Sequence, residues 1–273
     1  MIRNDFTNKA VLVTGGTKGL GLAIGLAFGR EGAHVYLTHK WGSVDEGEIL
    51  QEFKEAGALI QPTIVDADAA ENEDTRKLLD LIHEDHDHLE VFISNVAFAQ
   101  VAAGVEKLKK RTLFTSLGYS AWPLVGYLQH AKKIFGRYPR YVLGTSGDGA
   151  DTYYPGYDFV AVSKTVMEVY CRYIATELLD EDVRINILRS RPVSTESLTA
   201  TFGEEFEPFL RKFGGDDFFI EVGEVADAAL ALCSGLMDAV SGQVILLDRG
   251  VAFCDNLMRL FEHRREYGLE LNK

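Results

Sequence analysis

The stretch KAVLVTGGTKGLG, residues 9–21, decides the fold, because an apolar run of strand length leads directly into a glycine-rich turn. The apolar spacing that follows predicts a helix through about Arg30. A strand, a glycine turn and a helix in this order cradle a pyrophosphate, since glycines permit close backbone approach and the helix N-terminus offers free N–H groups. Residues 33–38 supply the second strand of a β-α-β unit. These features predict a dinucleotide-binding α/β fold.

Further strands alternate with helical segments along the rest of the chain. The strands are expected at residues 60–66, 91–94, 141–146, 183–188 and 242–248, and the main helices at 46–56, 73–83, 113–135, 158–179 and 253–267. This alternation is typical of parallel strands with helices on both faces. We therefore predict an α/β, doubly wound Rossmann fold with a seven-stranded parallel sheet. Because no linker or repeat interrupts the pattern, residues 1–273 are expected to form a single domain.

Composition narrows the class of protein. The chain has 273 residues, is 47% hydrophobic and 25% charged, and has no apolar run long enough to span a membrane or to act as a signal peptide. We therefore expect a cytoplasmic protein without a membrane partner. A net charge of −13 argues against nucleic acid as the main partner. The three scattered cysteines are expected to be reduced.

A histidine-rich segment at residues 83–88 invites a metal interpretation. His83, His86 and His88 alternate with acidic residues there. No fourth ligand follows in a fixed pattern, and a hydrophilic connection between helix and strand explains the composition. We predict no metal site.

A tyrosine and a lysine mark the predicted catalytic centre. Tyr157 precedes Lys164 by seven residues, close to two helical turns, so both side chains share one helix face. Pro155 and Gly156 place Tyr157 in the first turn, where the helix dipole favours negative charge near the phenol. Ser146 ends a strand shortly before and can orient a carbonyl or the tyrosine, although a capping serine is an equal alternative. A surface aromatic followed by an ordinary lysine is the alternative for the pair itself.

The predicted cofactor is NADPH. The second strand is followed by His39 and Lys40 with no carboxylate until Asp45, and Lys18 lies in the glycine turn, so a 2′-phosphate is favoured over a free ribose. Alternatively, Lys40 only occupies a loop. Asp66 ends the third strand and is expected to bind the adenine amino group. The full predicted cofactor set is Gly15, Thr17, Lys18, Gly19, Leu20, Gly21, His39, Lys40, Asp66, Ala67, Asn95, Val96, Ala97, Lys164, Pro192, Val193 and Thr195.

Two later segments are assigned to substrate. An aromatic stripe, formed by Phe202, Phe206, Phe209 and Phe213 at helical spacing, predicts a lid at about 196–216 over an apolar pocket, with core packing as the alternative. A helical extension at about 252–273 is expected to cover a neighbouring subunit. Arg191 either binds a carboxylate or phosphate of the substrate or cofactor, or it forms a structural ion pair. If its side chain faces the pocket, we expect the substrate to be anionic.

Several motifs together resemble the short-chain dehydrogenase/reductase superfamily over nearly the whole chain. They are Thr14-Gly-Gly-Thr-Lys-Gly-Leu-Gly21, Asp66, Asn95, Ser146, Asn186 and Ser241-Gly-Gln243. The tyrosine usual in that superfamily lies four residues before the lysine, where this chain has Val160. The spacing of Tyr157 and Lys164 instead resembles the enoyl-acyl carrier protein reductases, of the divergent type that keeps this glycine turn.

The resemblance implies an NADPH-dependent reductase acting on the carbon–carbon double bond of an enoyl thioester, carried by acyl carrier protein or coenzyme A, as in fatty acid biosynthesis. It also implies a homodimer or homotetramer paired through residues 113–135 and 158–179. Arg211 and Lys212 resemble a basic dyad that meets the acidic carrier protein. The substrate residues predicted are Phe98, Tyr153, Tyr154, Arg191, Phe202 and Phe206.

Two alternatives stay open at this point. One is an NADPH-dependent ketoreductase of a polyketide or secondary-metabolite pathway, with Tyr153 or Tyr154 as the acid. The other is a non-catalytic NADP(H)-binding partner or sensor, because Val160, Gly118 and Arg191 all depart from the superfamily pattern.

Overall fold

The computed structural model describes residues 5–41, 44–102 and 104–269. Seven parallel strands form one sheet in the order β3-β2-β1-β4-β5-β6-β7. The strands are β1 (Ala10–Val13), β2 (His34–His39), β3 (Thr63–Asp66), β4 (Leu89–Ser94), β5 (Tyr141–Gly147), β6 (Arg184–Ser190) and β7 (Val244–Leu247). The chain reverses its direction of travel across the sheet between β1 and β4, which is where open α/β sheets bind ligands. The predicted doubly wound, seven-stranded parallel sheet is confirmed.

Helices flank both faces of this sheet. They are α1 (Gly19–Arg30), α2 (Glu46–Glu55), α3 (Asn72–Asp85), α4 (Lys110–Ser120), α5 (Trp122–Phe135), α6 (Asp158–Glu177), α7 (Glu196–Phe202), α8 (Phe206–Gly214), α9 (Val222–Leu232) and α10 (Asn256–Glu262). Short 3₁₀ turns lie at Val105–Lys107, Asp148–Ala150, Asp216–Phe218 and Val251–Phe253. Among the described residues, no helix combines the length and the apolar character needed to cross a bilayer.

Alternating strand residues build two cores. Val11 and Val13 of β1 pack with residues of α1, α2 and α9 on one face, whereas Leu12 packs with α3, α5 and α6 on the other. On that second face the rings of Phe92 and Tyr127 stack with centroids 4.7 Å apart. Because both faces are covered, the central strands are rich in buried apolar residues, and each fully buried large side chain contributes about 1.5–3 kcal/mol.

The prediction of one continuous helix over residues 113–135 is wrong. The structure has α4 and α5 instead, and Ala121 is both the C-cap of the first and the N-cap of the second. Pro123 lies in the first turn of α5. A proline there has no N–H to donate, and its ring would clash with the carbonyl four residues earlier if α4 continued. The break brings Tyr119, near the end of α4, to the ligand-binding edge of the sheet.

Two C-terminal predictions also need correction. The aromatic stripe does not lie on one helix, because Gly203 adopts φ 89° and ends α7 between Phe202 and Phe206. The helix predicted over residues 253–267 is limited to α10, where the carboxylate of Asp255 accepts from the N–H groups of Leu257 and Met258. Most of the described residues that follow α10, which end at residue 269, form turns.

Asn95 connects the glycine turn to the centre of the sheet. Its amide nitrogen donates to the carbonyl oxygens of Thr14 (3.2 Å) and Gly15 (3.1 Å), and its amide oxygen accepts from the Thr145 hydroxyl at 3.1 Å. This side chain therefore bridges the ends of β1, β4 and β5. Gly21 packs directly against the bridge: an added Cβ would lie 2.3 Å from the Gly15 carbonyl oxygen and 2.7 Å from the Asn95 amide nitrogen.

We expect Gly21→Ala to lower the free energy of unfolding by about 1–3 kcal/mol, because backbone and the Asn95 amide must move to admit the methyl group. Urea unfolding would measure the change. Gly118→Ala is the matched control, since nothing lies within 4 Å of a Cβ at that helical position. The control should be neutral or stabilising by up to about 1 kcal/mol. Equal stability of Gly21→Ala and the wild type would contradict the expectation.

Candidate active site

A cavity of about 410 Å³ lies at the carboxyl ends of the strands, within the range typical of ligand sites. The glycine turn, the ends of β2, β4, β5 and β6, and residues of α6 and α7 form its wall. The structure brings together most of the site residues predicted from sequence: Gly15, Thr17, Lys18, Gly19, Leu20, Gly21, His39, Lys40, Ala67, Asn95, Val96, Ala97, Ser146, Tyr154, Tyr157, Lys164, Arg191, Pro192, Val193, Thr195 and Phe202.

Four predicted residues lie outside the cavity wall. Asp66 ends β3 with its side chain largely in solvent. Phe98 packs edge-on against the ring of Trp41, and Trp41 itself lines the cavity. Tyr153 is 83% exposed. Phe206 begins α8 and stacks on Phe202, which lines the cavity. Their assignments to cofactor or substrate stay predictions.

The glycine turn has the features that a pyrophosphate requires. Gly15 and Gly19 adopt φ values of 60° and 54°, which residues with a Cβ rarely tolerate. Lys18, the N-cap of α1, makes no side-chain capping bond, so the first N–H groups of the helix are not satisfied by the cap. Since Gly21 leaves no room for a side chain, the backbone itself forms the cradle. These residues fit the phosphates of a dinucleotide.

Basic side chains lie at the β2 end of the cavity. His39 and Lys40 both line it, and the Lys40 Nζ is 3.4 Å from an Asp66 carboxylate oxygen. The Lys18 Nζ is 3.6 Å from Glu196. Exposed ion pairs of this kind are worth about 0–1 kcal/mol, so a phosphate can displace either carboxylate at little cost.

Tyr157 is the N-cap of α6 and lies among other aromatic rings. Its ring centroid is 5.5 Å from that of Phe202 and 5.9 Å from that of Tyr154. Burial raises the pKa of Tyr157 to about 12, and the nearby carboxylate of Asp148 adds to the shift. The phenol is therefore protonated at neutral pH and acts as a donor. An added Cβ at Gly149 would lie 2.9 Å from the Tyr157 ring, so this glycine leaves the space that the ring needs.

Lys164 is buried in the same wall. Its Nζ donates to the carbonyl oxygen of Thr145 at 2.5 Å. Burial lowers the pKa of Lys164 to about 8, while Glu168, one turn later on α6, acts in the opposite direction. Val160, at the position of the usual superfamily tyrosine, is also buried and lines the cavity. A valine has no proton to donate, so Tyr157 is the phenol that α6 offers in this wall.

Glu168 organises a buried network that the sequence reading missed. It accepts from the Ser146 hydroxyl at 2.7 Å and from the Arg189 Nε at 2.9 Å, and Arg189 also pairs with Asp151. Ser146 lines the cavity, but its hydroxyl proton is directed to Glu168, and its catalytic role stays a prediction. The available signal was the spacing of four residues between Lys164 and Glu168, which places both on one face of α6.

A second polar group beside Tyr157 was also missed. Asp148 lies directly after β5, accepts from the Tyr154 hydroxyl at 3.0 Å and is buried, which raises the pKa of its carboxyl group. The Arg191 Nη1 is 3.8 Å from the same carboxylate. Asp148 follows Ser146 by two residues, so the tendency of ligands to bind at strand ends could have identified it.

The aromatic residues of the predicted lid divide into two contacts. Phe202 stacks on Phe206 with centroids 4.4 Å apart, and Phe202 faces the cavity tyrosines. Phe209 and Phe213 pack together at 4.9 Å, and Phe213 contacts the ring of Tyr267. The first pair belongs to the cavity, whereas the second anchors the C-terminal segment to α8.

Arg211, the first residue of the predicted carrier-protein dyad, is engaged within its own chain. It pairs with Glu207 at 2.8 Å and with Asp216 at 3.4 Å, and its guanidinium lies 4.5 Å from the centroid of the Phe219 ring. Lys212 is exposed and contacts the Phe213 ring.

The histidine-rich segment lies at the opposite edge of the sheet. The His86 Nε2 is 2.9 Å from the His34 Nδ1, and His88 lies 3.8 Å from Glu90. Burial lowers the pKa of His88 to about 4, with Arg137 and Lys9 adding to the effect. In the part of the chain that the structure covers, no group of three or more His, Cys, Asp or Glu side chains is arranged to hold a metal ion.

The fold and this site belong to a known class of protein. Residues 15–252 match the family model described as enoyl-(acyl carrier protein) reductase. The chain therefore belongs to this family, within the short-chain dehydrogenase/reductase superfamily, and the resemblance drawn from its motifs is confirmed.

Individual relatives are distant but similar over most of their length. The chain is 24% identical to enoyl-acyl-carrier-protein reductase (NADH) FabI of Aquifex aeolicus strain VF5 over 272 residues, covering 96% of this chain and 97% of the relative. It is 25% identical to 1-cyclohexenylcarbonyl-CoA reductase of Streptomyces collinus over 250 residues, covering 88% and 86%. The crystal structure of the Aquifex aeolicus enzyme superimposes with a TM-score of 0.77 at 22% identity, covering 91% of this chain and 98% of that one, which supports the fold.

The pKa of Lys164 makes a testable contribution to stability. Because its pKa is about 8 in the folded chain and 10.5 in the unfolded reference, the unfolded chain binds more protons between these values. Burial of the charge opposes folding fully below about pH 8, and this penalty disappears as the pH rises. Between about pH 7 and 10.5, we expect the free energy of unfolding of the wild type to rise by up to about 3 kcal/mol relative to that of Lys164→Met. Urea unfolding at each pH would measure this difference.

Lys77→Met is the control for this measurement. Lys77 is an exposed lysine whose pKa is raised by Glu73. Its small stabilising contribution to folding is therefore lost as the pH rises, which is the opposite of the behaviour expected for Lys164. A constant stability difference between wild type and Lys164→Met over this pH range would show that Lys164 is not buried as a cation.

Proposed function

We propose that this protein is an NADPH-dependent reductase of the carbon–carbon double bond of an enoyl thioester. One observation carries the proposal: the protonated Tyr157 hydroxyl and the buried Lys164 share the cavity wall, while the usual tyrosine position holds Val160. The description of the family and the activities for which the two relatives are named support the same reaction. The acyl group is carried by coenzyme A or by acyl carrier protein.

The chain's own residues supply a donor where negative charge develops. When bound, the reduced nicotinamide supplies a hydride to the β-carbon of the enoyl group. Tyr157 then donates a hydrogen bond to the thioester oxygen, where negative charge develops, and its raised pKa keeps the phenol protonated. The N-terminus of α6 adds a favourable dipole at this point. Lys164 holds a ribose hydroxyl and keeps the local potential positive.

Tyr157→Phe tests the assigned donor. We expect the rate of NADPH oxidation with crotonyl-CoA to fall by about 10²–10³, because the oxyanion loses its hydrogen-bond donor, while the Kd for NADPH changes little. Tyr138→Phe is the matched control, since Tyr138 lies before β5, outside the cavity wall, and its ring contact with Lys132 is retained by a phenylalanine. Normal turnover by Tyr157→Phe would rule out the assignment.

The preference for NADPH rests on the β2 end of the cavity. His39 and Lys40 line this region, Lys18 lies in the adjoining turn, and the first residues after β2 include no carboxylate. The pairs of Lys40 with Asp66 and of Lys18 with Glu196 are exposed and readily exchanged. A 2′-phosphate fits this arrangement better than a free ribose hydroxyl. The Aquifex aeolicus relative is named for NADH, so the choice of cofactor is proposed for this chain from its own residues.

Lys40→Ala is expected to raise the Kd for NADPH about tenfold and to leave the Kd for NADH nearly unchanged, because only NADPH carries the phosphate. Nicotinamide fluorescence titration would measure both constants. Lys54→Ala, which removes a lysine from the last turn of α2, controls for net charge. A wild-type Kd for NADH equal to or below that for NADPH would refute the preference.

Reduction of a ketone is the second candidate, because Tyr154 also lines the cavity. The Tyr154 hydroxyl donates a hydrogen bond to Asp148, and burial raises the pKa of Tyr154. The Tyr154 proton is therefore already engaged in a hydrogen bond within the cavity wall. Parallel assays of crotonyl and acetoacetyl thioesters with NADPH separate the two reactions. Binding of NADPH without turnover of either compound would favour a sensor.

We also propose a mobile lid and a paired assembly. The short helices α7 and α8, separated by Gly203, form the lid, and Phe202 is its contact with the tyrosines.

The outer face of α6 exposes Val162, Val169 and Tyr173, which supports pairing of two copies along this helix.

A further inference from the structure

Arg191 is a buried cation in the cavity wall whose hydrogen bonds are incomplete. It is 7% exposed and lines the cavity. Its Nε has no hydrogen-bond partner within the described residues, and its nearest carboxylate, that of Asp148, is 3.8 Å from Nη1. The guanidinium lies over the ring of Phe218, 4.1 Å from the centroid. A buried guanidinium without close partners is costly, so this arrangement favours an external anion.

The neighbouring Arg189 shows what a structural arginine looks like in the same segment. Its Nε donates to Glu168 at 2.9 Å, and its other nitrogens pair with Glu168 and Asp151. Asp148 does not do the same for Arg191: its Oδ2 already accepts from the Tyr154 hydroxyl at 3.0 Å, and the same oxygen is 3.8 Å from the Arg191 Nη1, beyond hydrogen-bond distance. Arg191 therefore retains N–H donors for a ligand, whereas the donors of Arg189 already bind carboxylates of the same chain.

The position of Arg191 separates it from the proposed 2′-phosphate site at Lys40. It directly follows β6, whereas Lys40 directly follows β2, four strands away in the sheet. Four inter-strand spacings amount to about 19 Å, too far for a 2′-phosphate held at Lys40 to reach Arg191. The groups near Arg191 are instead those beside the proposed proton donor, because Asp148 influences the pKa of both Tyr154 and Tyr157.

We propose that Arg191 binds a carboxylate on the acyl chain of the substrate, so that the enzyme prefers enoyl thioesters that carry a free carboxylate over neutral ones. This inference rests on the proposed function and names its substrate class. A guanidinium presents paired donors that match the two oxygens of a carboxylate, and the Phe218 ring packs against the Arg191 guanidinium at 4.1 Å.

Two pairs of thioesters test the proposal. Glutaconyl-CoA and crotonyl-CoA are enoyl substrates that differ by one carboxylate, and glutaryl-CoA and butyryl-CoA are their saturated products. We expect the wild type to show a kcat/KM at least about tenfold higher for glutaconyl-CoA, and an NADP⁺-saturated wild type to bind glutaryl-CoA at least about tenfold more tightly. Because all four compounds carry the same coenzyme A phosphates, phosphate binding by Arg191 would produce no preference and would overturn the proposal.

Variants assign the preference to this residue. Arg191→Met should bring both ratios close to one, Arg191→Lys should give intermediate ratios, and Asp148→Asn should retain or increase them by removing the competing carboxylate. Arg76→Met removes the same charge from a surface pair on α3 and should retain the wild-type ratios. Retention of the preference in Arg191→Met would overturn the proposal.

The outcomes distinguish this inference from the proposed function. If neither enoyl compound is reduced, the proposed reaction fails, while the binding ratio of the saturated compounds still reports on Arg191. If crotonyl-CoA is reduced as well as glutaconyl-CoA, the reaction stands and the carboxylate inference fails. Thermal unfolding checks that each variant is folded; should Arg191→Met not fold, the ratios of the wild type and Arg191→Lys decide.

Discussion

The hydrogen bonds of Asn95 are the constraint on which the site depends. One amide binds the backbone on both sides of the junction between β1 and the glycine turn and accepts from Thr145 on β5. The carbonyl of that same Thr145 accepts from the Lys164 ammonium. A continuous path of hydrogen bonds therefore joins the phosphate cradle to the helix that carries the proposed proton donor. Since buried backbone groups need partners, the strand ends are held in one arrangement.

Burial gives the polar side chains of the site different tasks. Tyr157 is kept protonated because a phenolate would be poorly solvated there, and the Lys164 pKa falls for the same reason. Glu168 is tolerated in the core because Ser146 and Arg189 both donate to it. Arg191 lacks such a close set of partners. The wall thus contains a satisfied network around Glu168 and, at Arg191, a buried cation whose Nε has no hydrogen-bond partner among the described residues.

The breaks in the helices shape the cavity as much as the strands do. The interruption at Ala121 lets α4 end with Tyr119 at the cavity edge, where its hydroxyl donates to Asp68 at 3.0 Å. The interruption at Gly203 folds α7 back so that Phe202 meets the tyrosines. A proline and a glycine therefore accompany the helix breaks that adjoin the cavity wall.

The local sequence by itself determined the strands, the glycine turn, the seven-residue spacing of Tyr157 and Lys164, and most of the cavity wall. These follow from backbone preferences and periodicity within one element, together with the rule that parallel strands end at a common edge. Only the tertiary structure decided that Ser146 meets Glu168, that Asp148 lies between Tyr154 and Arg191, and that Arg189 has close carboxylate partners whereas the Asp148 carboxylate is 3.8 Å from Arg191. Those relationships join side chains from separate strands, helices and loops, and they depend on distances of a few tenths of an ångström that spacing along a chain does not specify.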